Sequence, residues 1–190
     1  MNVTARDFDA MLLLTYAPPP DTNLPAYEDW LRSDDNPFFN AVPGIVEYTN
    51  WKIVAGAPAD FPYSYFDFMG IESVNAVDEV WQNEALQEFA TAFRRKWRVV
   101  PAHVYLCERL AAPKHPRTNH VIFLPGETSA GQSMADYDTW RVIRSVRGDL
   151  RFEKFDMRFI SDRGEFDQVR TRPASPPSVA LLGECIASPD

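Results

Sequence analysis

The chain has 190 residues, 45% of them hydrophobic and 24% charged, with a formal net charge of −8. That length and composition suit one compact domain, or two small halves sharing a core, and exclude a disordered chain. The negative balance, with a sequence pI of about 4.9, repels phosphate and excludes a nucleic-acid partner, while no apolar run approaches the ~20 residues needed to cross a bilayer.

Residues 10–17, AMLLLTYA, predict a buried strand, and PPPDTNLP after it a stiff polar loop. Asn23 or Thr22 caps a helix with Pro25 in its first turn. That helix carries Tyr27, Trp30 and Leu31 on one face and ends at Asp34-Asp35-Asn36-Pro37. Alternation over 45–54 predicts a second strand, GAPADFP a loop, and 63–72 a third strand. Helical spacing covers 74–97, where Arg94-Arg95-Lys96 suits the C-terminal dipole. A fourth strand follows at 102–111, completing a β-α-β-β-α-β unit of ferredoxin-like order over 8–111. Residues 112–119 read as a connector. Beyond it the pattern predicts a strand at 120–125, a helix at 135–146, a strand at 150–161, a loop at 170–177 and a strand at 178–187. This second unit, 119–190, thus reads as an incomplete β-α-β-β copy that stops where a helix would begin, at Ser188-Pro189-Asp190. A residue-by-residue match supports the repeat. Tyr27-Glu28-Asp29-Trp30 faces Tyr137-Asp138-Thr139-Trp140, residues 46–53 face 152–159, and Phe68-Met69-Gly70 faces Leu181-Leu182-Gly183.

The N-terminus places acidic residues before a short apolar run, unlike a signal peptide. Cys107 and Cys185 lie far apart, which suits free thiols in the cytoplasm and leaves a single disulfide open. Three histidines without CxxC or HExxH provide no metal site. His115 and His120 belong to the connector or a strand edge, and residues 126–131 lack the lysine and spacing of a phosphate loop.

Tyr27-Glu28-Asp29-Trp30, Asp35-Asn36-Pro37 and Val42-Pro43-Gly44 resemble the dimeric α+β barrel superfamily, in particular its EthD-like branches. There a Y-x-x-W helix is followed by E-H-x-P and V-P-G. This chain keeps the tyrosine, tryptophan, proline and V-P-G in register but has Asp34-Asp35 where those relatives carry Glu-His. The resemblance covers residues 10–110, and the rest only through the repeat. It implies two four-stranded sheets closing a barrel around a ligand, with helices outside. The sheets would come from two halves of one chain or from a homodimer. The superfamily includes cofactor-free monooxygenases, polyketide cyclases, lactone isomerases and haem enzymes, so the fold alone chooses no reaction.

Period-2 alternation assigns the faces. Apolar Thr49, Trp51 and Ile53, with Phe66 and Phe68, and Phe155, Met157 and Phe159, are expected beneath the helices. The opposite faces then collect Tyr48, Asn50, Lys52, Tyr65, Asp67, His103, Tyr105 and Cys107 in the barrel interior. Asp67 and His103 are the candidate general bases, and Asp35, at the rim, is a third acid–base candidate. Asp35 also fits ordinary turn chemistry. Tyr48, Asn50, Lys52, Tyr65, Tyr105 and Trp30 are candidate substrate-binding residues, although Trp30 also suits packing of its helix onto the sheet. His103 would be the axial ligand if the chain were a haem enzyme, but nothing in the sequence requires haem. The expectation is therefore an enzyme working without a cofactor on a small aromatic or polyketide-like molecule by proton transfer. A non-catalytic binding or assembly module and a cofactor-free monooxygenase remain as alternatives.

Overall fold

The computed structural model describes residues 8–99, 103–111, 118–126, 136–171 and 179–189. The alternating segments become strands: β1 (Ala10–Tyr16), β2 (Ile45–Ala55), β3 (Tyr65–Ile71) and β4 (His103–Ala111) in the first half. In the second half they are β5 (His120–Pro125), β6 (Asp138–Arg147), β7 (Lys154–Ile160) and β8 (Leu181–Ala187). All pair antiparallel and close within one chain into a barrel ordered β1-β3-β2-β8-β5-β7-β6-β4. The fold is thus α+β, with the helices outside an antiparallel barrel.

Two helical expectations need correction. The first helix does not stop at Asp34-Asp35-Asn36-Pro37. After α1 (Leu24–Trp30), capped by Asn23 accepting from the Ala26 N–H at 3.3 Å, it widens into a π-helical turn over Leu31–Asp35. It then continues as α2 (Asn36–Asn40). Pro37 has no N–H to donate to the preceding turn, and the wide turn, with the Asn36 N–H reaching Leu31 O, carries the helix past it. The helix expected at 135–146 is instead strand β6. Its Thr139, Val142, Ile143 and Val146 are β-branched, and Trp140 and Val142 are buried while Arg141 and Ile143 are exposed, a period of 2. The predicted 74–97 helix is split into α3 (Val77–Gln82) and α4 (Glu84–Trp97) at Asn83, whose side chain caps the Leu86 N–H at 3.1 Å. A short helix, α5 (Gly164–Arg170), was not anticipated.

The spatial order β4-β1-β3-β2 of the first four strands recurs as β8-β5-β7-β6 in the second four. This corrects the proposed internal alignment. By position β7 corresponds to β3, not to β2, and β8 to β4, not to β3. The second set has its fourth strand. Among the described residues the element without a counterpart is the helix between the first and second strands. His115 and most of the 126–131 segment lie outside the described residues.

The face assignment is reversed for β2, β3 and β7. Trp51, Phe66, Phe68, Trp140, Phe155 and Met157 fill the barrel interior together with Met11, Leu13, Tyr105 and Cys107. A closed eight-stranded barrel is just wide enough for side chains to fill it, so the interior takes the most apolar face of each strand. The outer face of β1–β4 packs under α2, α3 and α4 through Leu12, Tyr48, Met69, Val80, Leu86 and Leu106. Gly183 shows how tight the interior is: a Cβ there would lie 2.6 Å from the Phe66 ring.

Candidate functional site

On the outer face of β1–β3, Tyr16, Tyr48, Asn50 and Asp67 stand side by side as a polar patch. The antiparallel register puts Asn50 opposite Asp67 and Leu14 opposite Asp67 on its other side. The π-helical turn lowers Asp35 onto this patch, and α2 adds Asn36 and Asn40. Asp35 and Asp67 are each 3% exposed and Asn50 is fully buried.

Asp67 accepts from the Tyr16 hydroxyl at 3.1 Å, the Tyr48 hydroxyl at 2.9 Å and Asn50 Nδ2 at 3.1 Å. The same Asn50 amide donates to Asp35 Oδ2 at 2.9 Å, so one side chain bridges both acids. Its orientation is fixed by a relay. Asn50 Oδ1 accepts from Asn36 Nδ2 (3.1 Å), Asn36 Oδ1 accepts from Asn40 Nδ2 (3.0 Å), and Asn40 Oδ1 accepts from the Tyr48 N–H (2.9 Å). The amide group of Asn50 has two protons but three acceptors within reach, the third being the Tyr48 hydroxyl at 3.2 Å. A proton held on one of the two carboxyls relieves that shortage.

The electrostatics agree. Burial pushes the Asp35 carboxyl up to about 7, against the opposing pull of its bonds to Asn50 and Tyr48. Burial, and then the charge of Asp35, raise Asp67 well above the ordinary carboxylate range. Burial also raises Tyr16 and Tyr48, which therefore stay neutral and act as donors. The pair lines a cavity of about 70 Å³ whose walls are Leu14, Phe39, Met69, Phe89, Phe93 and Val104, with Gln87 and Arg147 exposed beside it.

Three of the expected residues, Asp67, Tyr48 and Asn50, thus come together with Asp35, but beneath the helices rather than inside the barrel. His103 does not join them. It faces the interior, its ring stacked on Tyr105 at 5.7 Å and edge-on to Tyr63 at 5.4 Å. The Tyr105 hydroxyl donates to Asp149 O at 3.0 Å. Lys52 and Tyr65 lie on the outer face at the foot of α1, where both donate to Glu28 Oε1, at 2.7 and 2.9 Å. Trp30 packs α1 onto α4, stacked on Phe89 and Phe93 at 5.6 and 5.3 Å. Cys107 is sealed in the interior, where burial raises its thiol. Tyr16, Asn36 and Asn40 were missed. Strand β1 is apolar on both faces up to Thr15, so Tyr16 gave no alternation signal. Asn36 was absorbed into a turn reading that the continuous helix overrules.

A haem does not fit the carboxyl cavity. Among the described residues its lining has no imidazole or thiolate to hold an iron, and His103 lies on the far side of the sheet. Among the described residues no helix is long and apolar enough to cross a membrane.

Residues 14–110 match the family described as REDY-like protein HapK. Among solved structures, one described as a candidate chlorite dismutase is 13% identical, with a TM-score of 0.56 and 95% of each chain covered. An anthrone oxidase-like protein is 10% identical, with a TM-score of 0.58, 98% of this chain and 95% of that one covered. At those identities the likeness shows the fold alone, and that fold is the dimeric α+β barrel the sequence resembles. No curated protein matches the chain.

Proposed function

The chain belongs to the REDY-like HapK family, and on that footing we propose that it is a cofactor-independent enzyme that moves protons on a small aromatic or polyketide-like molecule, as a lyase, isomerase or cyclase. The observation that carries this reading is a pair of carboxyls, Asp35 and Asp67, buried together on one hydrogen-bond network beside an apolar cavity. A carboxyl at about 7 is an effective base and, once protonated, an effective acid near neutrality. Asp35 is bonded by Asn50 and Tyr48, whereas Asp67 accepts from three donors, so Asp35 is the less committed member and the one that exchanges its proton with a substrate. Asp35 takes a proton from carbon next to a carbonyl. The neutral Tyr48 hydroxyl, which lines the cavity and accepts from Asn50 behind it, then faces the enolate oxygen that forms. Returning the proton to a different carbon isomerises the substrate. Attack of the enolate carbon on a second carbonyl, with loss of water, cyclises it.

At about 70 Å³ the cavity is smaller than the ~300 Å³ that encloses a drug-sized ligand. A ring enters only as the half-buried Phe89 and Phe93 of α4 turn aside. The two strand sets also support reading 8–111 and 119–190 as related ferredoxin-like units, the first of which holds this site.

The test is deuterium exchange in D₂O, followed by NMR, at the acidic C–H of 2-hydroxyacetophenone and of anthrone, with oxygen uptake recorded alongside. Catalysed exchange should fall by about 100-fold or more in Asp35→Asn and Asp67→Asn, within the range of acid–base contributions. Exchange equally fast in both folded variants refutes the assignment. Oxygen uptake with conversion of anthrone to its quinone selects the monooxygenase reading. Tight binding without exchange or oxygen uptake selects the non-catalytic module.

A further inference from the structure

The sheet that carries the carboxyl site on its outer face bounds a second hollow on its inner face. A cavity of about 330 Å³ opens at one end of the barrel and shares no lining residue with the carboxyl cavity. Thr15 lines it, between Leu14 and Tyr16, which belong to the other cavity. Its walls are rings: Phe66 and Phe123 stack at 5.6 Å, and Phe152 stands edge-on to Phe123 at 6.2 Å. Its polar groups are few and gathered. Thr15 Oγ1 is buried against the Tyr63 hydroxyl, to which it is bonded, and Nδ1 of His103, the cross-strand neighbour of Thr15, is buried as well. Thr15 and His103 are 5% and 6% exposed, so these atoms are also hidden from bulk water. The Tyr63 hydroxyl and the Arg151 guanidinium complete the set. The charge of Arg151 reaches Tyr63, lowering a hydroxyl pKa that burial raises. Among the described residues Arg151 has no carboxylate partner, in a chain of net charge −8.

An aromatic slot with one cation and two hydroxyls at one side is built for a flat ring bearing an anionic group. The volume sits at the lower end of the ~300–1,000 Å³ typical of small-molecule sites, which favours one or two fused rings. We propose that this barrel mouth is a second ligand site, distinct from the carboxyl cavity, that takes a small planar aromatic carboxylate. The rings lie against Phe66, Phe123 and Phe152, and the carboxylate meets Arg151 and the Tyr63 hydroxyl, which Thr15 holds in place. The proposal stands independently of the acid–base reading, because the two cavities face opposite sides of the sheet.

The probe is 1-naphthoate, titrated by calorimetry into the full chain. It should bind with 1:1 stoichiometry, and 1-naphthylmethanol, its neutral analogue, at least tenfold more weakly. Arg151→Gln, a change at an exposed position, should weaken naphthoate at least tenfold. Asp35→Asn should leave it unchanged. Nuclear Overhauser contacts should run from the naphthoate ring to the Thr15 and Leu181 methyls. The proposal is overturned if naphthoate does not bind, if the alcohol or Arg151→Gln matches the parent affinity, or if the contacts run to Leu14 and Met69 instead.

Discussion

Replacing Asp35 by Asn should make the protein more stable above neutral pH while leaving it nearly unchanged in acid. The carboxyl is buried, and its pKa rises from 3.8 to about 7 on folding. The folded state therefore binds this proton more tightly than the unfolded chain. Stability from this group is complete below about pH 4 and is lost as pH rises through about 7. Three units at roughly 1.4 kcal/mol each make about 4 kcal/mol an upper bound on the loss. For a chain of this size that corresponds to about 8–16 °C in melting temperature. Asparagine keeps the shape, and its carbonyl can still accept from Asn50 without any charge to desolvate. Urea unfolding followed by tryptophan fluorescence, at pH 4.5 to 8.5, checks the difference between the two chains. That difference should grow in favour of Asp35→Asn across the window and level off above pH 7. The other carboxylates and the overall charge act on both chains and cancel in it. A flat difference, or one that shrinks as pH rises, would show that Asp35 is not a buried acid titrating near neutrality.

If Asp35 is the base, turnover should fall below about pH 7 along a single limb, and the titration of a ¹³C-labelled Asp35 carboxyl should share its midpoint. Asp67→Asn should behave unlike Asp35→Asn. It turns an acceptor of three donors into an amide, at a cost of about 1–3 kcal/mol in urea melts at pH 5. Trp51→Ala, inside the barrel between Phe66 and Phe159, should cost about 3–5 kcal/mol in the same assay. Asn83→Ala, which removes the cap on α4, should cost about 1 kcal/mol.

Much of the first half was legible because its signals are local. Alternation found β2, β3 and β4, and Asn23 with Pro25 marked the start of the first helix. The chemistry-bearing types Asp35, Tyr48, Asn50 and Asp67 were also picked out. What period 2 cannot say is which of two faces looks inward. Putting the aromatic face under helices assumed a damp interior, whereas closure of the barrel makes that interior the drier side. In the second half the strands β5, β7 and β8 are legible too, and the 135–146 segment fails for another reason. Tyr137 to Val146 places apolar residues compatibly with helix or strand over so short a run, and the pairing with β4 and β7 that settles it is non-local. The family resemblance places Asp35 at a rim and Pro37, two residues on, suggests an ending there, whereas the structure buries Asp35 in a widened turn that leaves no mark in composition.

Because the barrel closes within one chain, β1 to β3 form a party wall between two rooms. Neighbours in sequence such as Leu14, Thr15 and Tyr16 open alternately onto one room and the other. Slipping one strand by a single position would exchange the furnishings of both, sending acids into oil and rings toward the helices. Any replacement along these strands thus has an address as well as a size, and odd and even positions are separate experiments.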